Sequence, residues 1–203
     1  MNKISLVLFF LIVFGISFVS ASVLDVCPAG CNYTSIQVAI DNSSSGDTIN
    51  VLAGTYTEDL IINSSKIGLE IIGAGSGVSV IKGINNAPQA SFPLAVPNIE
   101  ILSRDVKIHG FTIESPDYVA LTYTSGIVIG AKNVEIYSNN FIINSAGSAD
   151  EISQVIQTYH FSAMPGVDVS GLEIHNNTFN HKDVGAWGYE AVYINPDTGS
   201  GYV

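Results

Sequence analysis

Any chemistry on this chain must come from a small set of side chains. The single tryptophan, Trp187, stands between glycines in the stretch from His181 to Glu190, with Asp183 and Tyr189 beside it. An aromatic ring stacks on the apolar face of a sugar while carboxylates accept hydrogen bonds from its hydroxyls. His181, Asp183, Trp187, Tyr189 and Glu190 are therefore the candidate ligand-binding set, with an ordinary loop plug as the plainer alternative. His109, Tyr137 and His175 occupy equivalent places in a repeat described below and form either a functional row or an exposed ladder of planar side chains. Arg104, the only arginine, lies in Ser103-Arg104-Asp105, where a solvated turn residue is expected.

The cysteines, Cys27 and Cys31, are four apart around Pro28-Ala29-Gly30. In an oxidising compartment that spacing favours a local disulfide, which closes a small loop and stabilises by only about 2 kcal/mol. Two cysteines with no histidine nearby are too few for a structural metal site. Asn32, Asn42, Asn63 and Asn176 each head an Asn-x-Ser/Thr sequon, an N-glycosylation acceptor wherever the host modifies exported chains.

Export is expected from the first residues. Met1-Asn2-Lys3 is a short basic start, a mainly apolar run follows to Val19, and Val19-Ser20-Ala21 carries small residues at the −3 and −1 positions of a cleavage site. Residues 1–21 read as a signal peptide, with no transmembrane span after cleavage. The mature chain of about 180 residues is large enough for one domain with a sizeable core. Seven Lys+Arg against 18 Asp+Glu give a net charge of −11, which argues against nucleic acid or an anionic membrane as partner. A carboxylate-rich polysaccharide would likewise meet few cations.

One helix is expected over 34–41, where Ile36, Ala39 and Ile40 share a face and Thr34 or Ser35 can cap it. Beyond it the chain breaks into a dozen short β-rich runs: 48–51, 60–62, 69–72, 78–81, 99–102, 106–108, 127–129, 134–136, 141–143, 155–159, 172–174 and 192–194. Three segments align: Val106-Lys-Ile-His-Gly-Phe-Thr-Ile113, Val134-Glu-Ile-Tyr-Ser-Asn-Asn-Phe141 and Leu172-Glu-Ile-His-Asn-Asn-Thr-Phe179, their starts 28 and 38 residues apart. Alternation places Val106/Ile108, Val134/Ile136 and Leu172/Ile174 inward, and Lys107, Glu135 and Glu173 in one outward column. His109, Tyr137 and His175 form another. Ile113, Phe141 and Phe179 return to the core after a corner, where the Asn pairs 139–140 and 176–177 suit left-handed backbone and bonding along a stack.

A β-sandwich is the rival, but no Asn-Gly or Asp-Gly hairpin turn occurs. The fold class expected is all-β, a right-handed parallel β-helix with a short N-terminal capping helix. The chain divides into the signal peptide 1–21, a disulfide-bearing segment with the helix over 22–46, and coils over 47–203. Tyr202-Val203 reads as the start of a further strand, so a C-terminal cap is expected to lie beyond this sequence.

The stretch from Tyr33 to Gly83, with Tyr33-Thr-Ser-Ile-Gln-Val-Ala-Ile40, Gly46-Asp-Thr-Ile49, Gly54-Thr-Tyr-Thr-Glu58, Leu69-Glu-Ile-Ile-Gly73-Ala-Gly75 and Val80-Ile-Lys-Gly83, resembles the opening of the pectin-lyase-like superfamily, pectin methylesterases included. The resemblance implies that the helix covers the N-terminal end of the core. It is specific for fold and silent on activity. The motif Gly-x-x-Asp-Phe-Ile-Phe-Gly of the esterases is absent, and of the polygalacturonase elements only His109-Gly110 is present, which the repeat accounts for. A lyase needs a Ca²⁺ site of several acidic groups with a basic neighbour, and no dense cluster of that kind stands out. No cofactor is identified, Ca²⁺ entering only for a lyase. Two functions are carried forward. One is a secreted or cell-surface module for carbohydrate binding, adhesion or envelope structure, its partner a polysaccharide or cell-envelope glycan. The other is a polysaccharide lyase, esterase or hydrolase whose catalytic residues lie partly beyond residue 203.

Overall fold

The computed structural model describes residues 20–84, 95–115, 123–144, 153–158, 167–182 and 189–194. The signal-peptide expectation falls, but for Ser20 and Ala21, outside them. Among these residues every strand pair is parallel, which excludes the hairpins of a sandwich. Three sheets result. Sheet A runs β1 (Val23–Val26), β2 (Thr48–Val51), β5 (Glu70–Gly73), β8 (Lys107–His109), β11 (Glu135–Tyr137) and β14 (Glu173–His175). Sheet B runs β3 (Gly54–Thr57), β6 (Ser79–Lys82), β9 (Thr112–Glu114), β12 (Asn140–Asn144) and β15 (Thr178–Lys182). Sheet C runs β4 (Leu60–Ile62), β7 (Ala95–Ile101), β10 (Tyr123–Ile129), β13 (Ser153–Thr158) and β16 (Tyr189–Tyr193). The chain visits A, B and C in turn and starts again one strand further on. This is a right-handed parallel β-helix.

The repeat aligned from sequence is the register observed. Glu135 pairs with Lys107 and Glu173, Ile136 with Ile108 and Ile174, and Tyr137 with His109 and His175. Val106, Val134, Ile108 and Ile136 are fully buried, and Leu172 and Ile174 pack on the same core. Ile113 and Phe141 return to the interior, and Phe179 stacks on Phe141 with centroids 5.3 Å apart. Sequence runs missed β1, β3, β9 and β15, because three to five residues at a corner carry too little alternation to stand out.

Two corners explain the spacing of the small and polar residues. Between C and A, Gly46, Gly68, Asp105, Asn133 and Gly171 all have positive φ. The N–H of Gly68 donates to Arg104 O, that of Asp105 to Lys132 O, and that of Asn133 to Ser170 O. This ladder sets Arg104 and Lys132 at one position of consecutive coils. Between A and B the left-handed residues are Gly75, Gly77, Gly110, Ser138 and Asn176, so of the four corner asparagines only Asn176 uses that conformation. Asn139 and Asn177 instead turn inward as a ladder. Asn139 Nδ2 donates to Ile108 O at 3.0 Å, Asn177 Nδ2 to Ile136 O at 2.7 Å, and Asn139 N–H to Asn177 Oδ1 at 2.9 Å. Asn140 belongs to β12. Phe111 takes the equivalent place one coil earlier, fully buried, its N–H donating to Asn139 Oδ1.

Helix α1 (Ile36–Asn42) begins two residues after the expected start and ends one residue later, with Ser35 Oγ accepting from Val38 N–H as the cap. Ile36, Ala39 and Ile40 have no exposure and sit on the first coil, closing the apolar end as the resemblance implied. Cys27 and Cys31 are disulfide-bonded. The bond steadies the loop that brings Tyr33 back to Val26, where Cys27 N–H donates to Tyr33 O at 3.1 Å.

Candidate functional site

The outer face of sheet A carries the chemistry that sequence alternation placed there. On β8, β11 and β14 the first outward position gives Lys107, Glu135 and Glu173, and the second gives His109, Tyr137 and His175. The rings form a stack: His109 and Tyr137 have centroids 4.3 Å apart at 17°, and Tyr137 and His175 5.1 Å apart at 12°. Both faces of Tyr137 and one face of each histidine are thus occupied within the stack.

Charge fixes the neighbouring column. Lys107 Nζ lies 2.8 Å from Glu135 Oε2, and His175 Nε2 lies 3.2 Å from Glu135 Oε1. The Lys107 hydrogen bond first, and that of His175 second, hold the Glu135 carboxyl below the usual carboxylate range. Lys107 is raised in return, chiefly by the same bond. Burial, with Glu70 next, pushes the Tyr137 phenol up, so it stays a neutral donor. His109 Nε2 meets Glu70 Oε1 at 3.3 Å, and Asn176 Nδ2 approaches His175 Nδ1 at 3.2 Å. Where Nδ1 accepts from Asn176, the Nε2–H of His175 donates to Glu135.

Glu135, Glu173 and His175 present ligand atoms all within 4.8 Å of one another. Two carboxylates and an imidazole suit a divalent transition metal better than Ca²⁺, which prefers oxygen alone. The set is open to solvent, and exposed acidic groups commonly stand without an ion.

Beside this face, at the corner between C and A, a groove of about 260 Å³ is lined by Ser64, Ile67, Leu102, Arg104, Ala131, Lys132 and Asp168. Arg104 is half exposed, as expected, and bonds Asp105. Lys132 Nζ is 4.0 Å from Asp168 Oδ2, beyond a hydrogen bond. Asp168 accepts from the hydroxyl and the N–H of Ser170, which with nearby Lys132 holds its carboxyl low. Sequence reasoning missed this groove, because the residues come from four separated segments.

The set proposed from sequence at 181–190 is only partly in view. Asp183 and Trp187 lie outside the described residues. His181 is in β15 opposite Ile143, and Tyr189 and Glu190 in β16 pair with Ser153 and Gln154. These pairings put their backbones on different sheets. The sequon asparagines Asn32, Asn42, Asn63 and Asn176 are all exposed. Asn42 Nδ2 already donates to Val38 O, whereas Asn63 uses its oxygen toward Ser65. Among the described residues no helix is long and apolar enough to cross a membrane.

No protein-family model and no curated protein matches the chain. Solved structures similar to it include the pectin methylesterase from carrot, at 14% identity and TM-score 0.46, covering 82% of this chain and 65% of that one. A pectin methylesterase mutant in complex with a hexasaccharide is also similar, at 14% identity and TM-score 0.44, covering 79% of this chain and 66% of that one. The chain thus spans just under two thirds of their length. At that identity and score the likeness carries nothing about chemistry, and the fold stands on the strand pairing itself.

Proposed function

We propose that this chain is an exported β-helix module that binds a glycan, at the cell surface or in the surrounding medium, along the outer face of sheet A. The observation that carries the reading is the register of that face. Hydrogen-bonding groups repeat there coil after coil, at the strand spacing of about 4.8 Å, a distance comparable to the length of one sugar residue in a polysaccharide. Lys107, Glu135 and Glu173 offer charged partners to hydroxyls, and the Tyr137 phenol, its pKa held up by burial, offers a neutral one. Both faces of Tyr137 are covered by the flanking histidines, so its part in recognition proceeds by hydrogen bonds and not by sugar–aromatic stacking. Export is supported by the leader-like residues 1–21 and by a disulfide in so short a loop.

A glycan array probed with the mature chain tests this. Binding to one glycan class, weakened at least about tenfold by the paired change Glu135→Gln and Glu173→Gln, is expected, since two charge-assisted hydrogen bonds are lost. Binding that survives the change would move the site elsewhere, with the groove at Arg104 and Lys132 next in line.

One observation favours an enzyme as the second reading. Glu135 is held ionised by Lys107 beside Glu173, and paired carboxylates are what glycoside hydrolysis employs. Assays on pectin and pectate with and without Ca²⁺ separate the two: turnover lost in Glu135→Gln or Glu173→Gln would replace the binding module by a polysaccharide-active enzyme.

A further inference from the structure

Among the described residues, two buried side-chain atoms have no hydrogen-bond partner: Asp59 Oδ2 and Asn98 Oδ1. They belong together. Leu60 and Ile99 are register partners on neighbouring strands β4 and β7; Asp59 stands one residue before Leu60, where sheet B gives way to sheet C, and Asn98 one residue before Ile99, inside β7. Their other polar atoms are tied into one network. Ile84 N–H donates to Asp59 Oδ1 at 3.1 Å, while the adjacent Gly83 N–H donates to Glu114 O at 3.0 Å. Asn98 Nδ2 donates to that same oxygen. The polar column stops there. The next two coils place Gly126 and Val155 at this position, and a Cβ on Gly126 would press on Val155 O and the Phe141 ring.

Two acceptor oxygens on register-adjacent residues thus lack a donor, which is costly for both. We propose that Asp59 and Asn98 form a proton-operated latch, in which a proton on Asp59 Oδ2 is donated to Asn98 Oδ1 and joins the first coil to the second. One proton satisfies both atoms. Above the titration the carboxylate and the amide oxygen oppose each other, and the structure loosens around Ile84 and Asn98.

The surrounding charges do not supply the missing donor. Glu58, next in the chain, is engaged by Ser35, Ile36 and Gln37. Lys82 on β6 lies 3.8 Å from Glu114 of β9, and Glu100 of β7 is buried in register with Ile61. Burial pushes the Asp59 carboxyl up to about 6, opposed by the Ile84 hydrogen bond. Because the folded value is raised, the stabilisation is complete below the unfolded value and is lost as pH rises through about 6.

The test uses the mature chain, with thermal melts from pH 4.5 to 8 and the Asp59 carboxyl followed by carbon NMR. Wild type should titrate near 6 and lose roughly 5 °C in melting temperature across the transition. Asp59→Asn, whose amide is a permanent donor to Asn98, should melt higher at pH 7.5 and remove that step from the profile. Asn98→Ser should lower the Asp59 midpoint, because the acceptor for the protonated form is gone. An Asp59 midpoint near 4 would overturn the latch, and so would an Asp59→Asn profile parallel to wild type. A midpoint unmoved by Asn98→Ser would leave Asp59 titrating alone, with water on Asn98.

Discussion

The side-chain amide of Gln37 pairs with both main-chain groups of Ile61: its Oε1 accepts from Ile61 N–H at 2.7 Å, and its Nε2 donates to Ile61 O at 3.2 Å. A residue of helix α1 thereby stands in for a strand beyond β4, where sheet C ends among the described residues. An open edge invites pairing with another chain, and here one carboxamide fills the central position of a three-residue edge. Gln37→Ala should lower stability by about 1–2 kcal/mol through the two backbone groups left unpaired. It should also raise self-association, read as a concentration-dependent mass in light scattering. Gln37→Glu, which keeps an acceptor but offers no amide donor, should fall between the two.

The same helix is gripped at both ends from one short segment. Glu58, just before β4, accepts from Ser35 Oγ and from the N–H groups of Ile36 and Gln37. Lys66, just after β4, is buried and donates to the carbonyls of Asp41 and Ser43. Anion at the N-terminus and cation at the C-terminus both complement the helix dipole. A helix of seven residues would not persist alone, so this clamp and the buried Ile36, Ala39 and Ile40 hold it. Lys66→Met should cost about 2–4 kcal/mol, as a buried charge partner and two carbonyl contacts are lost. Glu58→Gln should cost about 1–2 kcal/mol. Chemical denaturation measures both, and hydrogen exchange should place the first loss of protection in residues 36–42.

None of these three roles was legible beforehand. The helix itself was, because Ile36, Ala39 and Ile40 fall at helical spacing and Ser35 can cap. Glu58 and Lys66 act on residues more than 20 positions away, and no local pattern marks a carboxylate or ammonium for such a task. The outer face of sheet A was legible for the opposite reason. Its residues recur in register, so alternation on one strand and repetition between strands give the same answer for Lys107, Glu135 and Glu173. In the corner groove Arg104 and Lys132 do recur two residues before the aligned starts, but Ser64, Ile67, Leu102 and Asp168 come from stretches outside the repeat, and there sequence offered only a turn residue.

The inward asparagines divide what the repeat made look alike. Asn139 bonds Ile108 O, Phe111 N–H and Asn177 from a buried corner, whereas Asn140, its neighbour, accepts from Asn180 on the exposed side. Asn139→Ala should therefore cost about 2–4 kcal/mol, leaving a buried carbonyl and a buried N–H unpaired. Asn140→Ala should stay within about 0.5 kcal/mol. Equal effects in denaturant titrations would mean that corner bonding does not hold these coils together. Asn139→Asp is more demanding still, since a carboxylate has no donor for Ile108 O.

Acid should act on the outer face in the direction opposite to its effect at Asp59. The Glu135 carboxyl is depressed by its hydrogen bond to Lys107 and then by His175, so the stability it lends is present above the unfolded carboxyl value and is lost as pH falls through the lower folded one. The partners are partly exposed, at 51% for Lys107 and 23% for Glu135, and solvent screening keeps the contribution within about 1 kcal/mol. Melting temperature should then fall by roughly 2–4 °C between pH 5 and 3. Glu135→Gln should remove that part of the fall while leaving the neutral-side step untouched, because Glu135 lies on sheet A and Asp59 at the corner before β4. High salt should shrink the acid-side step by screening the Lys107 pair. A neutral-side step set by desolvation of Asp59, in contrast, should persist at the same salt, and its loss there would place its origin in surface charge.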